Sequence, residues 1–334
     1  MTTVRPYRSL SDLAAMESMI SGAWLSDARP LIPMTVGDLE WWMCLGGPDA
    51  DWPTRIQIWS EGEQTIAWGW FTPPGSVEVF AAPGLPADRD LAIRDEILEW
   101  AVARVRAEDT PTESIQIWAA DGSREQSFLL DRGFVATDET LTQFFRELAD
   151  ELAPPLLPPE YRVRTVEGPG EIGARVEVHR AAFAPSKMTE EKYESLTSLP
   201  HYSFDHDVVV SAPDGSLAAF TMCWLDLAGA VGEFEPVGTH PDHRGLGLAK
   251  AANLFGLRLL RSLGAQATVV FSDGSNTASQ ALYRSVGFRE LCVHRRYIRR
   301  LDRQIARPAR SPDLPDRQTG SIAKPARSPN RPDH

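Results

Sequence analysis

Lysine is nearly missing from this 334-residue chain: Lys187, Lys192, Lys250 and Lys324 are the only ones, and every other basic residue is arginine or histidine. Cysteine is as scarce. Cys44, Cys223 and Cys292 are scattered and odd in number, which argues against a disulfide framework or a cysteine-built zinc site and predicts reduced, buried thiols. No stretch approaches the ~18 unbroken apolar residues of a membrane helix. Met1-Thr-Thr-Val-Arg-Pro also lacks the apolar run of a secretion signal, so the expected location is the cytoplasm, with no membrane partner. Excess positive charge is lacking too. The net charge is -12, and the segment from Arg303 onward holds seven basic against three acidic residues, so the remainder sits near -16. Such a surface repels nucleic acid and suits a cationic small molecule such as an amine.

The length predicts two domains, each large enough for its own core. Landmarks recur along the chain: Gly133-Phe134 returns as Gly287-Phe288, Pro86 and Arg89 as Pro241 and Arg244, and Asp121-Gly122 as Asp273-Gly274, all at a separation near 154. A steady offset over several landmarks indicates tandem copies of one unit. The predicted divisions are residues 1–150, a stiff Pro-rich connector at 151–160, a second unit at 161–302, and a Pro- and Arg-rich tail at 303–334 expected to lack order.

In the first unit, strands are expected at 4–7, 55–60, 64–71, 77–81 and 114–118. Helices are expected from the Ser9 cap to about Trp24, at 87–107 and at 126–132, and residues 28–53, with Pro30, Pro33, Gly46, Gly47 and Pro48, read as irregular. Nine of the ten tryptophans lie in this unit, where core packing accounts for them better than an aromatic substrate wall. The second unit predicts a strand at 161–165, a helix at 170–183, a polar mixed segment at 185–205, a hairpin of 208–211 and 217–225 around Pro213-Asp-Gly215, and a closing strand at 290–300.

The chemistry concentrates in Glu233-Phe-Glu-Pro-Val-Gly-Thr-His-Pro-Asp-His-Arg-Gly-Leu-Gly-Leu-Ala249. A short strand breaks at His240-Pro241-Asp242 and passes through two glycines into a segment with apolar residues at helical spacing: Leu248, Ala251, Ala252, Phe255 and Leu259. A glycine turn ahead of a helix presents bare backbone N–H groups and the positive end of the helix dipole, a seat for a pyrophosphate, to which Arg244 adds a cation. The pattern is neither a Walker loop nor G-x-G-x-x-G. Downstream, Ala267 to Phe271 reads as a buried strand and is followed by Asn276-Thr-Ala-Ser279-Gln-Ala-Leu-Tyr283-Arg-Ser-Val-Gly287-Phe288. Where the second unit has Gly247, Ala249 and Tyr283, the first has Ala92, Arg94 and Leu129, so the first reads as catalytically degenerate.

Arg244, Gly247 and Ala249 with Asn276, Ser279, Tyr283 and Gly287-Phe288 resemble the acetyl-CoA-binding half of GNAT-type N-acetyltransferases. The resemblance covers 163–300 well and 4–146 in outline. It implies an α/β (α+β) fold of two tandem GNAT-like domains, each a central mixed twisted sheet flanked by helices. It also implies acetyl-CoA as acyl donor, with no metal. The backbone of Val237, Gly238 and Thr239 would hold the acetyl and pantetheine groups and Arg244, Gly245, Leu246, Gly247, Leu248 and Ala249 the pyrophosphate; Asn276 and Ser279 would join the cofactor site, Asn276 by holding the pantetheine arm or orienting the tyrosine, although an N-cap role alone would also explain Asn276. Tyr283 would protonate the departing thiolate. Glu233 and Glu235, two apart on one strand and so on one face, are the candidate proton acceptors; Glu233 is favoured because Gly-Glu at this position resembles the mycothiol synthase branch of the family. Pro236 beside them removes a ladder donor, and in the family the strands splay there. The segment 185–205 corresponds to the family's acceptor cover.

The expected activity is transfer of acetyl from acetyl-CoA to a primary amine of a small molecule by direct attack in a ternary complex; the sequence leaves the oligomeric state open and is compatible with a monomer. The competing readings are mycothiol synthase activity and a non-catalytic acetyl-CoA-binding module. His240 and His243 have no third ligand nearby in sequence, and Cys223 has no basic neighbour, so neither a metal nor an acyl-cysteine is expected.

Overall fold

The computed structural model describes residues 2–26, 32–109 and 112–301; the tail from 303 on lies outside them. The first half runs β1 (Thr2–Pro6), α1 (Leu10–Trp24), α2 (Val36–Gly46), α3 (Trp52–Arg55), β2 (Ile56–Glu61), β3 (Gln64–Thr72), β4 (Ser76–Ala81), α4 (Ala87–Ala107), β5 (Ser114–Ala120), α5 (Arg124–Asp131) and β6 (Val135–Glu147). The second repeats that order as β7 (Arg162–Thr165), α6 (Ile172–Ala182), α7 (Glu190–Leu196), β8 (Asp207–Ser211), β9 (Leu217–Asp226), β10 (Val231–Thr239), α8 (Leu248–Ser262), β11 (Ala267–Asp273), α9 (Thr277–Ser285) and β12 (Arg289–Arg300). Only α3 has no counterpart among the described residues.

All twelve strands form one sheet, in the order β1-β2-β3-β4-β5-β12-β6-β11-β10-β9-β8-β7. The last strands of the halves are therefore exchanged. β12, from the second half, pairs with β5 of the first, from His294 against Ala120 to Arg300 against Ser114. β6, from the first, pairs with β11 of the second, from Ala267 against Glu147 to Asp273 against Leu141. Cores follow the same weave: Leu13, Met16 and Ile20 of α1 share a cluster with Val231 of β10 and Val269 of β11. β9 is buried along nearly its whole length, which suits its run of Leu-Ala-Ala-Phe-Thr-Met-Cys-Trp under helices on both faces. α8 buries Ala251, Ala252, Leu257 and Leu260 along one stripe and leaves its other face to solvent.

The segment 28–53 is not wholly irregular, as its prolines and glycines suggested, because it contains α2. A capping box nucleates that helix: the Thr35 hydroxyl accepts from a first-turn N–H, and the Asp38 carboxylate accepts from the Thr35 N–H at 2.7 Å. The consequence is functional, since α2 carries Asp38 and Trp42 toward the middle of the sheet.

Candidate active site

The parallel pairing of β10 with β11 runs from Val231 against Ala267 to Glu233 against Val269 and stops. On the other side of β10, pairing with β9 shifts register between Phe234 and Val237, at the cis peptide Glu235-Pro236. A strand that loses one partner at its midpoint leaves main-chain groups facing a gap. Two cavities flank this point.

The first measures about 530 Å³ and is lined by ten of the eleven residues expected around the cofactor; Leu246 is the exception and is 43% exposed. Its floor is the turn into α8. Gly245 and Gly247 have φ of +79° and +76°, the left-handed conformation glycine adopts without cost, and nothing lies within 4 Å of where a Cβ at either would stand. Behind them the first-turn N–H groups of α8 have no intrahelical acceptor and point at the cavity mouth. The Arg244 guanidinium is braced by the carbonyls of Thr239 (3.4 Å) and Ala182 (3.3 Å). Asn276 caps α9 by accepting from the Ser279 N–H at 3.0 Å, and this fixes the helix that presents Tyr283. The Tyr283 side chain is 5% exposed, lines the cavity, and packs against Phe144 and Phe288. Burial, with the Glu235 carboxylate adding to it, raises its pKa, so the hydroxyl keeps its proton at neutral pH. This geometry suits a long, anionic, thioester-bearing molecule with its phosphates at α8.

The second cavity, about 490 Å³, lies on the seam between the halves. Glu235 of β10 and Asp273 of β11 face it from the second half; Asp38, Glu78 and Trp118 face it from the first, and His294 of the exchanged β12 closes it. Three of its four carboxyls are held above their ordinary range, while Asp273, bonded by the Ser275 hydroxyl and N–H, is held below it. Burial, reinforced by Asp38, pushes Glu235 up to about 8. Burial, with the charges of Glu125 and Asp38, pushes Glu78 up to about 8, and burial pushes Asp38 up to about 7. His294 is driven by burial down to about 4 and is neutral. A ring of carboxyls that bind protons too tightly is a ring short of a cation, and an ammonium group would supply it.

Glu233 and Glu235 part company here. Glu233 is 1% exposed and lines neither cavity. The Thr35 hydroxyl donates to it across the two halves, and burial together with the Asp38 charge raises its pKa well above normal. Glu235 is the carboxylate that lines a cavity, whereas Glu233, favoured from the sequence, does not. Residues 185–205 do not line the seam cavity; α7 packs on α2 and α6 instead. Asp38, Glu78, Trp42, Trp118 and His294 were missed. Four of the five lie in the half read as degenerate, and the one local signal among them is the Thr35-x-x-Asp38 capping box, which marks a helix start and not a site. Trp42 and Trp118 form part of a cavity wall, while Trp24, Trp59 and Trp68 are core, as expected.

In the first half, α4 begins at Ala87 directly behind Pro86, so the glycine turn has no equivalent and Arg89 sits inside the helix. Arg94 fills the corresponding place, ion-paired with Asp90 and Glu125 at 3.0 Å each. His243 Nδ1 is bonded to the Tyr161 hydroxyl at 2.9 Å, and the His240 side chain accepts from the Asp242 N–H, so both rings serve the turn. Burial pushes the Cys223 thiol well up, which leaves it a protonated core residue.

Residues 176–288 match the family described as Acetyltransferase (GNAT) family. A mycothiol acetyltransferase of Thermobispora bispora is 28% identical over 283 residues, covering 81% of this chain and 90% of that protein. One of Nocardiopsis dassonvillei is 35% identical over 155 residues, 42% of this chain and 47% of that one. Among solved structures, a tandem GNAT protein from the clavulanic acid biosynthesis pathway superposes with a TM-score of 0.61 at 11% identity, covering 90% of this chain and 98% of that one. A GCN5-related N-acetyltransferase from Sphaerobacter thermophilus gives 0.60 at 16% identity, covering 90% and 95%. At these identities the structures speak for the fold alone.

Proposed function

We propose that this chain, whose residues 176–288 match the GNAT acetyltransferase family, is an acyltransferase that transfers acetyl from acetyl-CoA to a primary amine bound in the seam cavity. The observation that carries the reading is the end of β10–β11 pairing at Glu233, which sets Glu235 of the acidic cavity two residues from Val237 of the glycine-turn cavity.

The residues present fit the donor: bare N–H groups at α8 and Arg244 for phosphates, and an open strand edge at Val237 to Thr239 for the pantetheine amides. Glu235 accepts a proton from the bound ammonium, whose solution pKa near ~10 would otherwise leave it unreactive. The amine nitrogen then forms a bond to the thioester carbonyl carbon, the C–S bond breaks, the Tyr283 O–H protonates the leaving sulfur, and the nitrogen gives up its second proton to restore the Tyr283 hydroxyl, the proton on Glu235 passing to solvent. The products are the N-acetyl amide and free coenzyme A. The high pKa of Tyr283 suits a group that must hold its proton until a thiolate appears.

Free-thiol release from acetyl-CoA against a panel of amines tests the reading. Tyr283→Phe keeps the ring and removes the hydroxyl, so turnover should fall by ~10²-10⁴ with acetyl-CoA affinity within twofold. Unchanged turnover would remove Tyr283 from the proton path, and no thiol release with any amine would sink the proposal. A narrower reading, that the chain acts as a mycothiol acetyltransferase, is favoured by the relative of that name that aligns over most of both chains; acetylation of that acceptor at least tenfold faster than simple amines would support it.

A further inference from the structure

A second polar cluster sits away from both cavities. Glu17 on α1 and Glu40 on α2 are 5% and 0% exposed, and His201, in the segment between α7 and β8, reaches in between them. One ligand atom from each lies within 4.8 Å of the other two. His201 Nδ1 is 2.8 Å from Glu40 Oε1 and 3.6 Å from Glu17 Oε1, and the second distance is too long for a hydrogen bond. Glu17 Oε1 is accordingly a buried oxygen with no hydrogen-bond partner.

Charge makes the cluster incomplete. Two buried carboxylates bring two negative charges; the His201 imidazole can offset one only while protonated, and a metal ligand must be neutral. Burial of uncompensated charge costs several kcal/mol per ion, so the remaining charge requires a cation or a proton. The protein holds the set in place nonetheless: the His201 N–H donates to both Glu40 oxygens, at 2.9 and 3.2 Å, and so fixes the carboxylate plane. Zinc bonds of about 2.0–2.2 Å in a tetrahedral array place ligand atoms about 3.4 Å apart. The 2.8 and 3.6 Å spacings bracket that value. A cavity of about 450 Å³ opens onto Glu17 and His201 and gives an entry path; His206, whose buried Nδ1 also lacks a partner, lines it.

We propose that Glu17, Glu40 and His201 form a binding site for a divalent metal of the Zn²⁺ type, with its fourth position open to this cavity. Two carboxylates and one imidazole suit borderline ions better than Ca²⁺ or Mg²⁺. The ion would clip α1 and α2 of the first half to the segment leading into β8 of the second, a structural role separate from acyl transfer.

Chelator-treated, untagged full-length protein titrated with ZnCl₂ tests this. One equivalent should bind by calorimetry and raise the melting temperature. Glu17→Gln, nearly isosteric, and His201→Ala should each weaken binding at least tenfold, while the double variant His240→Ala/His243→Ala should bind as wild type. Absence of one-equivalent Zn²⁺ binding to the wild type would overturn the site, as would Glu17→Gln binding unchanged or loss confined to the His240/His243 variant. Should His201→Ala fail to fold, Glu40→Gln replaces it with the same expectation.

Discussion

Trp224 Nε1 donates to the main-chain carbonyl of Glu235 at 2.6 Å. The indole belongs to β9 and the carbonyl to the kinked part of β10, so one side chain holds the irregular strand where its ladder is broken. Gly37 of α2 lies against the same ring; a Cβ there would stand 2.3 Å from Trp224 Cγ. The first half thus buttresses the carboxylate that faces the seam cavity.

With the backbone of Glu235 pinned and its carboxyl raised to about 8, kcat/KM should climb through a limb near pH 8 in the free enzyme, because only the ionised carboxylate accepts a proton. Glu235→Gln should lower kcat by ~10²-10⁴ at pH 7 and move the rising limb to higher pH, where solvent deprotonates the amine. Glu233→Gln should keep the limb and act mainly on stability through the lost Thr35 contact. The pH-rate profiles of the three proteins decide it; a lost limb in Glu233→Gln and an intact one in Glu235→Gln would reverse the assignment.

Gly247 tests the donor seat. No atom waits where its Cβ would go, but the left-handed backbone makes a branched residue strained by about 1–2 kcal/mol. Gly247→Val should therefore unfold cooperatively at a slightly lower temperature, yet bind acetyl-CoA at least tenfold more weakly. Calorimetric titration of a folded variant with wild-type affinity would take the turn out of the donor site.

The acidic seam should be visible in stability. Glu78 is raised to about 8 in the folded chain, against ~4.3 unfolded, so the folded state binds its proton more tightly. Stability from this group is complete below pH ~4 and is lost as pH rises toward 8. Glu78→Gln, uncharged throughout, should then raise the melting temperature at pH 8 more than at pH 5. Equal shifts at both would show that Glu78 titrates normally.

Strand exchange predicts how the halves behave apart. A fragment of residues 161–301 keeps β12 but lacks β5 and β6, the two strands β12 pairs with. It should not unfold cooperatively, whereas co-expression with residues 1–150 should restore one transition. A sharp, independent transition in the isolated fragment would show that β12 can fold back onto β11.

Much of this protein is written locally. Two glycines ahead of an apolar stripe permit a left-handed turn into an amphipathic helix, because no other residue takes those angles as cheaply, and the separation near 154 points to the tandem order. Asn276 and Tyr283 likewise hold their relation through one helix, where seven residues fix two turns. Three things were settled only by the tertiary structure. β6 pairs with β11 and β12 with β5, across more than a hundred residues of chain, and no local pattern announces such partners. α2 was masked by flanking proline and glycine, although its capping box is local. Which of Glu233 and Glu235 meets the cavity also lay beyond the sequence: strand alternation puts both on one face, but Thr35 and Asp38, some two hundred residues upstream, cover the first and leave the second at the cavity wall. Burial is a property of what arrives from elsewhere in the chain, and it is burial that sets which carboxylate meets the cavity.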